Sequence, residues 1–578
     1  MRLKTKYEIG KIPHNEHPCP QSMRKNWLCL NGGWDFYKEN KQGEKSYEGK
    51  IIVPFSPETL NSGIEEGFTL NIGEKLVYHR KVQLGKELLL GCTLLHFGAV
   101  DSECKVYLND ALVGSHVGGF TAFTVNVSDV LLEGENDLTV VCTDEGTRNG
   151  GARGKQSDTP GGIWYTPQSG IWQTVWLESM PKVNIGNFRI TPNAREKTVA
   201  VSLDNGSEAE IAVFDGETEI LREKFKGMVT LAYDFELWSP EHPKLYDVVL
   251  TNGAGDEVRS YFGVRSFGRM KDEQGIARLT LNGKPYFFNG VLDQGYWSDG
   301  MLTYPSDQAA YDELALLKEM GFNTVRKHIK IEPMRWYYHC DRLGLVVWQD
   351  FVNGGDKYKF THVALWPFLG IKVKDSKYKY FGRESEEGRA EFLQQADDTM
   401  NALYNSVSVG MWVPFNEGWG QFDSTEITAY IRERDDSRII DSASGWYDQG
   451  KDKTELRSMH KYFGWLRVPR RDPRPVILSE FGGYSIKIAG HVFNEKKNFG
   501  YKKFKSQEKF VLALEKLYGK KICKMMRKGL SGCIYTQVSD VEDELNGLRT
   551  YDRKVLKISV ADMTRINDWV KQQADFIE

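Results

Sequence analysis

The chain has 578 residues, of which 27% are charged and 40% hydrophobic, and its formal net charge is −3. This length exceeds what one hydrophobic core organises and predicts about three or four domains. The balanced charge offers no basic face that would neutralise phosphates, so nucleic acid is not an expected partner. The longest nearly apolar run, residues 88–100, is too short to span a bilayer, so no membrane partner is expected either.

The N-terminus and the cysteines bear on the compartment. The first residues are charged and lead into no apolar segment of the secretory type, which predicts a cytoplasmic protein. The eight cysteines contain no CxxC pair and have no histidine at ligand spacing. This pattern argues against a zinc site or a disulfide framework and predicts reduced thiols.

The first 180 residues read as short strands separated by Gly, Asn and Asp turns. Strand-like runs such as 34–37, 76–80, 104–108, 138–142 and 174–177 predict an all-β sandwich of the jelly-roll type. A Gly-rich segment, residues 143–170, interrupts this pattern and contains Arg153-Gly154-Lys155-Gln156. Loops of this length are commonly functional.

A second β unit occupies residues 181–270. Its period-two runs, 199–203, 210–214 and 246–250, predict an immunoglobulin-like β-sandwich. The unit contains no cysteine and therefore no disulfide between its sheets.

From residue 271 onward, strands and helices alternate. Eight strands are predicted at 286–291, 324–326, 345–348, 407–413, 438–440, 457–460, 476–478 and 532–535, and helices at 306–320, 334–343, 384–404, 424–434 and 507–527. Eight such units in about 300 residues indicate a (β/α)8 TIM barrel over residues 271–578. The fold class is therefore multidomain: jelly roll (1–180), immunoglobulin-like sandwich (181–270) and TIM barrel. We expect the 143–170 segment to reach over the barrel mouth.

Two glutamates follow barrel strands. Asn416-Glu417 comes directly after the fourth strand, and Glu480 ends the seventh. The carboxyl ends of barrel strands form the active-site face, so these side chains are expected to face one cavity. A pair of carboxyl groups is the basic requirement of a glycoside hydrolase.

The domain order and these motifs resemble glycoside hydrolase family 2, which includes β-galactosidases, β-glucuronidases and β-mannosidases. The similarity extends from Asn31-Gly32-Gly33-Trp34 through Asn282-Gly283-Lys284-Pro285 to Tyr551-Asp552-Arg553. It implies a retaining exo-β-glycosidase acting on glycosides or oligosaccharides, with Glu417 as the acid/base and Glu480 as the nucleophile.

The resemblance also assigns substrate contacts. Asn416 is expected to donate to the sugar 2-hydroxyl, and Arg326 is expected to hold the nucleophile as an anion, with a structural ion pair as the alternative. Tyr462 is preferred to His460 for the contact with the nucleophile. Asp293, Asp350 and His328 are candidates for sugar hydroxyls, although either aspartate would equally serve as a helix cap or loop anchor.

Missing motifs narrow the substrate. The loop after the third strand, Phe351 to Asp356, lacks the acid and histidine of the magnesium-dependent β-galactosidases, so neither a required metal nor another cofactor is expected. The Asn-x-Lys of the β-glucuronidases is replaced by Asn546-Gly547-Leu548-Arg549, where Arg549 is a candidate substitute. The β-galactosidase histidine after the nucleophile is also absent. β-Galactosides are preferred on family frequency, with β-glucuronides and other β-glycosides as alternatives.

Two other functions remain open at this point. One is a carbohydrate-binding protein built on an inactive barrel, which the presence of both glutamates opposes. The other is a transglycosylase that uses the same glutamates and differs only in the acceptor. The sequence leaves open both the sugar and whether the chain forms a homo-oligomer.

Overall fold

The computed structural model describes residues 3–146, 150–359, 361–450, 453–464, 466–469 and 472–574. The predicted fold class is confirmed: two β-sandwiches precede a barrel of eight parallel strands. No helix in the described ranges is long and apolar enough to cross a membrane.

The N-terminal sandwich packs a four-stranded sheet on a six-stranded one. In sheet order, the strands of the smaller sheet are Trp27–Cys29, Val175–Pro181, Gly91–Phe97 and Phe123–Asn126. Those of the larger sheet are Lys45–Val53, Gly32–Glu39, Lys75–Leu84, Gly134–Thr143, Glu103–Leu108 and Ala111–Val117. Alternate side chains such as Trp34, Phe36, Val106 and Val140 fill the space between the sheets, as the two-residue period of a strand requires. Short elements lie at the edges: Val100–Asp101 pairs with Gly170–Ile171, and 3-10 turns occupy Leu60–Ser62 and Lys86–Leu88.

The second sandwich has a three-stranded and a four-stranded sheet. The first contains Phe188–Asn193, Thr198–Leu203 and Met228–Ala232, and the second contains Thr218–Lys226, Glu208–Asp215, Tyr246–Thr251 and Glu257–Phe262. A small antiparallel sheet, Phe267–Lys271, Ala277–Leu281 and Lys284–Pro285, then leads into the barrel.

The eight barrel strands, numbered first to eighth in chain order, are Phe288–Asp293, Thr324–Lys327, Val346–Asp350, Val409–Val413, Ile439–Ile440, Arg457–Lys461, Val476–Gly482 and Leu530–Thr536. Pairing runs 5-4-3-2-1-8-7-6, and every pair is parallel. Every barrel strand that was predicted is present. The first begins two residues later than predicted.

The predicted helices around the barrel are present, one of them interrupted, and Trp366–Phe368 and Val560–Ala574 are helices that were not predicted. They span Asp307–Glu319, Met334–Leu343, Trp366–Phe368, Glu386–Leu403, Ser424–Arg434, Gln507–Leu517, Cys523–Met526 and Val560–Ala574, with shorter turns at Thr361–Leu365, Tyr378–Tyr380 and Tyr518–Ile522 and two short strands at Tyr484–Ile486 and Lys502–Phe504. Ser306 caps the first helix by accepting from the amide of Ala309. The helix predicted over 507–527 is divided by the π-turn Tyr518–Ile522. That turn contains Gly519, where a Cβ atom would lie 3.3 Å from the Trp569 ring.

Packing closes the lower end of the barrel and leaves the upper end for polar groups. Leu279 and Leu281 of the small antiparallel sheet pack against Phe288, Trp348 and Ile534, which point into the barrel. Large apolar side chains fill a barrel interior in this way, so it is a packed core rather than a pore. The polar side chains at the carboxyl ends of the strands can therefore contact a ligand only at the upper end of the barrel.

Candidate active site

The two predicted glutamates meet at the carboxyl end of the barrel. One carboxylate oxygen of Glu417, one of Glu480 and a ring nitrogen of His460 all lie within 4.8 Å of one another. Both glutamates are buried, with exposed fractions of 6% and 4%. Double displacement at a sugar uses carboxyl groups about 5 to 5.5 Å apart, and oxygens no more than 4.8 Å apart are closer to that separation than to the roughly 6.5 to 9.5 Å of inverting enzymes.

The backbone at Glu417 adopts an unusual conformation. Its φ is +50°, in the left-handed region that residues other than glycine seldom occupy. The amide of Glu417 donates to the carbonyl of Ser444 at 3.0 Å, and the amide of Ser444 donates to the carbonyl of Phe415 at 2.8 Å. These two hydrogen bonds hold the turn after the fourth strand, so the local strain at Glu417 serves to aim its side chain.

The surroundings move the two carboxyl groups in opposite directions. Burial raises the pKa of Glu417, and the negative charge of Glu480 adds to this effect against a hydrogen bond from His460. Burial also opposes ionisation of Glu480, but His460, Arg326 and the Tyr462 hydroxyl outweigh it and lower its pKa. The site therefore favours a protonated Glu417 beside an ionised Glu480, which is the division needed for one acid and one nucleophile.

Arg326 organises the groups around Glu480. Its guanidinium binds both oxygens of Asp350 at 2.9 Å and donates to Glu480 Oε1 at 3.2 Å and to Asn416 Oδ1 at 2.8 Å. Because the amide oxygen of Asn416 accepts from Arg326, its Nδ2 is the donor that remains, and this atom is buried without a partner in the described chain. The amide group is thus oriented for an acceptor that the protein does not supply.

Two side chains of the sixth strand region contact different glutamates. Tyr462 donates its hydroxyl to Glu480 Oε2, and its ring stacks on Tyr501 with centroids 3.6 Å apart. His460 Nδ1 lies 2.7 Å from Glu417 Oε1, whereas its Nε2 lies 3.6 Å from Glu480 Oε1. The preference for Tyr462 at the nucleophile agrees with this geometry, while His460 mainly serves the other glutamate.

His328 and Asp350 lie on the Arg326 side of the site. His328 Nδ1 is 2.7 Å from Asp350 Oδ2, and burial lowers the pKa of His328 well below its usual value. Burial raises the pKa of Asp350 to about 6 against the opposing charge of Arg326. Since both oxygens of Asp350 are engaged by Arg326 and His328, its contacts are those of an orienting group.

Asp293 is not brought to the glutamates. Its carboxylate binds Lys327 Nζ at 2.6 Å and accepts from the amide of Gly295 at 2.8 Å. Lys327 and Lys330 both pair with Glu332, so the two negative and two positive charges of this buried cluster balance one another. These contacts correspond to the loop-anchor alternative. A sugar-binding role would need a free carboxylate after the first strand, and that of Asp293 is already bound by Lys327 and Gly295.

The Gly-rich segment of the N-terminal domain reaches the barrel mouth. The amides of Arg153 and Gly154 donate to the carbonyl of Asn353, in the loop after the third strand. Tyr165 donates to Glu544, in the loop after the eighth strand. Sequence reasoning predicted this position for the segment but did not single out its side chains.

Lys155 is the charged side chain that this segment adds to the site. Its exposed fraction is 5%, and its ammonium lies 4.5 Å from the centre of the Trp419 ring and 5.3 Å from that of Trp164. Burial lowers the pKa of Lys155, and the negative charges of Glu544, Glu480 and Glu417 act against that lowering. A lysine in a Gly-rich loop gives no sequence signal of such long-range neighbours.

Arg549 is engaged by an acidic residue of the protein. Its guanidinium lies 3.5 Å from Glu313 and donates to the carbonyl of Arg553 at 2.5 Å. Asn546 turns its Nδ2 to Glu544 Oε1 at 2.9 Å. The suggestion that Arg549 replaces the lysine of the Asn-x-Lys motif stays a prediction.

The glutamate pair and His460 also have a spacing that a metal ion would accept. The expectation that no metal is required therefore stays a prediction. The two carboxylates are the groups that double displacement needs, so a bound cation would compete with that chemistry.

Family models cover most of the chain. Residues 53–181 match the sugar-binding domain of glycosyl hydrolases family 2, residues 183–265 match a further model of glycosyl hydrolases family 2, and residues 271–557 match the TIM-barrel domain of that family. The chain belongs to glycoside hydrolase family 2. Both glutamates lie within the part matched by the barrel model.

Several members of this family are similar to the chain at low identity. A β-glucuronidase of Bacteroides fragilis is 24% identical over 76% of this chain and 64% of its own length. A β-galactosidase of Actinobacillus pleuropneumoniae is 24% identical over 78% of this chain and 47% of its own length. The chain spans about half the length or less of several other curated relatives, such as 33% of the Streptococcus thermophilus β-galactosidase.

Solved structures show the same three-domain fold. A β-glucuronidase from an uncultured Clostridium superposes with a TM-score of 0.72 at 20% identity, covering 98% of this chain and 100% of the other. A β-galacturonidase of Eisenbergiella tayi gives 0.67 at 19% identity, covering 98% of each chain. These family members act on different sugars, so the shared fold does not select one.

Proposed function

We propose that the protein is a retaining exo-β-glycosidase that removes a terminal β-linked sugar by double displacement. Glu480 attacks the anomeric carbon while Glu417 protonates the departing glycosidic oxygen. Water activated by Glu417 then hydrolyses the glycosyl ester on Glu480. The observation that carries the proposal is the buried pair of oxygens within 4.8 Å, one on a carboxyl group that favours its proton and one on a carboxylate held by Arg326 and Tyr462.

The neighbouring groups fit this division of labour. Arg326 and Tyr462 stabilise the negative charge of Glu480 before attack and again when the ester breaks. The free Nδ2 donor of Asn416 is available to a sugar 2-hydroxyl, whose hydrogen bond strengthens as positive charge develops on the ring. Lys155 packs against the rings of Trp164 and of Trp419, which is close to Glu417 in the chain, and a subsite bounded by these side chains would suit removal of a single terminal residue.

The sugar is tested with a panel of p-nitrophenyl β-glycosides. β-Galactosides are the first expectation from the sequence, and β-glucuronides and β-galacturonides are included because similar proteins carry those names. Release of nitrophenol from one glycoside supports the enzyme assignment. A protein that binds these glycosides and hydrolyses none of them would instead be a carbohydrate-binding protein.

The mechanism is tested by trapping the intermediate. A 2-deoxy-2-fluoro glycosyl fluoride of the preferred sugar should inactivate the protein and add one glycosyl group, because fluorine slows breakdown of the ester more than its formation. Peptide mapping should place that group on Glu480. Labelling of Glu417 or of any other residue would refute the assignment.

A further inference from the structure

Lys155 is a buried cation whose hydrogen-bonding capacity the protein leaves unused. An ammonium group has three N–H donors, and within the described residues the side chain of Lys155 forms no hydrogen bond and no ion pair. Its contacts are with the faces of Trp419, Trp164 and Tyr165, at 4.5, 5.3 and 5.7 Å from the ring centres. A desolvated ammonium held by rings alone retains strong donors for a ligand.

His328 offers the complementary group beside the same tryptophan. Its ring lies 6.3 Å from the Trp419 ring, centre to centre. Because Nδ1 faces the Asp350 carboxylate at 2.7 Å, a neutral His328 carries its proton there, and Nε2 is left as an acceptor. Nε2 has no hydrogen-bonding partner in the described part of the chain. A donor, the Lys155 ammonium, and an acceptor, Nε2 of His328, therefore both lie beside the Trp419 ring.

A hydroxyl group is the ligand that satisfies both, since it accepts from Lys155 and donates to His328. A sugar carboxylate is less suitable, because it only accepts. It would also lie close to Glu544, which accepts a hydrogen bond from Tyr165 of the same segment, and to Glu480 and Glu417, whose negative charges act on Lys155. The charges around Lys155 thus favour a neutral sugar edge.

Building on the proposed function, we propose that Lys155 and His328 bind a hydroxyl group at C3, C4 or C6 of a neutral terminal sugar. Asn416 is assigned the 2-hydroxyl, so the second contact falls on the edge of the ring away from the anomeric carbon. The N-terminal domain thereby supplies a specificity-determining residue to a site whose reacting groups all come from the barrel.

The test is a cycle between a protein variant and deoxygenated substrates. Lys155→Met keeps the length of the stem and its ring contacts but removes the donors. Hydrogen bonds to charged groups correspond to about a 10- to 150-fold effect, so kcat/KM for the preferred neutral glycoside should fall by that factor. One of the 3-deoxy, 4-deoxy and 6-deoxy analogues should lose a similar factor with the unmodified protein and lose little more with Lys155→Met.

Controls separate this role from a general one. Lys38→Met removes another lysine of the N-terminal domain that lies over a ring, that of Phe68, and that pairs with Glu74, and it should leave kcat/KM unchanged. Loss of charge near the glutamates would instead reduce activity equally on all deoxy analogues, and that result would overturn the proposal. Preferred cleavage of a uronide that depends on Lys155 would also overturn it, in favour of a carboxylate ligand.

Failure of the proposed function gives a different result. Labelling of Glu480 by the fluorinated glycosyl fluoride reports the double-displacement mechanism independently of Lys155. Suppose that Lys155→Met has nearly the melting temperature of the unmodified protein and that Glu480 is still labelled. A Lys155→Met effect that is the same on all deoxy analogues then refutes the hydroxyl contact alone and leaves the glycosidase mechanism in place. If Glu480 is never labelled in the unmodified protein, the glycosidase mechanism itself is refuted.

Discussion

The hydrogen bond between His460 and Glu417 makes a prediction about the pH range of activity. Nδ1 of His460 lies 2.7 Å from Glu417 Oε1, and an ionised carboxylate can only accept a hydrogen bond. Nδ1 therefore donates to the ionised form of Glu417. This bond stabilises the ionised form of Glu417 against the burial that raises its pKa.

His460→Gln and His460→Asn test the two ring nitrogens of His460 separately. The glutamine amide reaches the position of Nε2 and loses the donor to Glu417, whereas the asparagine amide approximates Nδ1 and keeps it. A hydrogen bond to a charged group contributes about 1.5 to 3 kcal/mol, so His460→Gln should shift the ratio of protonated to ionised Glu417 by about 10- to 150-fold towards the protonated form. The pKa of Glu417 rises further.

The assay is kcat/KM against pH with an aryl glycoside that has a poor leaving group. Its alkaline limb reports the acid in the free enzyme. That limb should move to higher pH in His460→Gln and stay close to its original position in His460→Asn. A shift to lower pH in His460→Gln, or a larger shift in His460→Asn, would refute the assigned proton position on His460 and the acid role of Glu417.

Three further predictions concern the acid/base, metals and stability. Glu417→Ala should lose about 10²- to 10⁴-fold on substrates with poor leaving groups, yet azide should restore turnover of activated aryl glycosides and give the β-glycosyl azide; the α-azide, or rescue of Glu480→Ala with retention, would exchange the two roles. Dialysis against EDTA should leave activity unchanged, because the loop after the third strand lacks the acid and histidine of a magnesium site, and a loss restored by magnesium would refute this expectation. Burial lowers the pKa of His17 to about 4 from 6.5, so unfolding takes up a proton between these values. As pH falls from about 6.5 to 4, the unfolding free energy of the unmodified protein, measured by urea titration, should therefore fall more than that of His17→Gln. An equal fall in the two proteins would contradict this prediction.

The elements that sequence reasoning predicted share a local signal. The run ending at Val413 is apolar on both faces of the strand, and the polar Asn416-Glu417 follows it at once, so strand and site could be predicted together. The Ser306 cap and the spacing of the apolar residues predict the helix at Asp307–Glu319. Each of these features depends on neighbours a few residues away.

The residues whose surroundings could not be predicted depend on partners far along the chain. Asp293 is bound by Lys327, which lies 34 positions further along the chain at the end of the second barrel strand. Arg549 is captured by Glu313, and Lys155 acquires its surroundings from Trp419 and Glu544. A single sequence contains no periodicity that links such positions, so charge pairing in the folded interior could not be read from it.

The contact between Tyr165 and Glu544 also has a consequence for synthesis on the ribosome. The two residues are 379 positions apart, and at about 5 to 20 residues per second the second emerges roughly 20 to 75 s after the first. Throughout that interval the Gly-rich segment of the N-terminal domain lacks its contacts with the complete barrel, and its aromatic and basic side chains are exposed to solvent. The nascent chain therefore offers proteases and chaperones a target that vanishes once the eighth strand is in place.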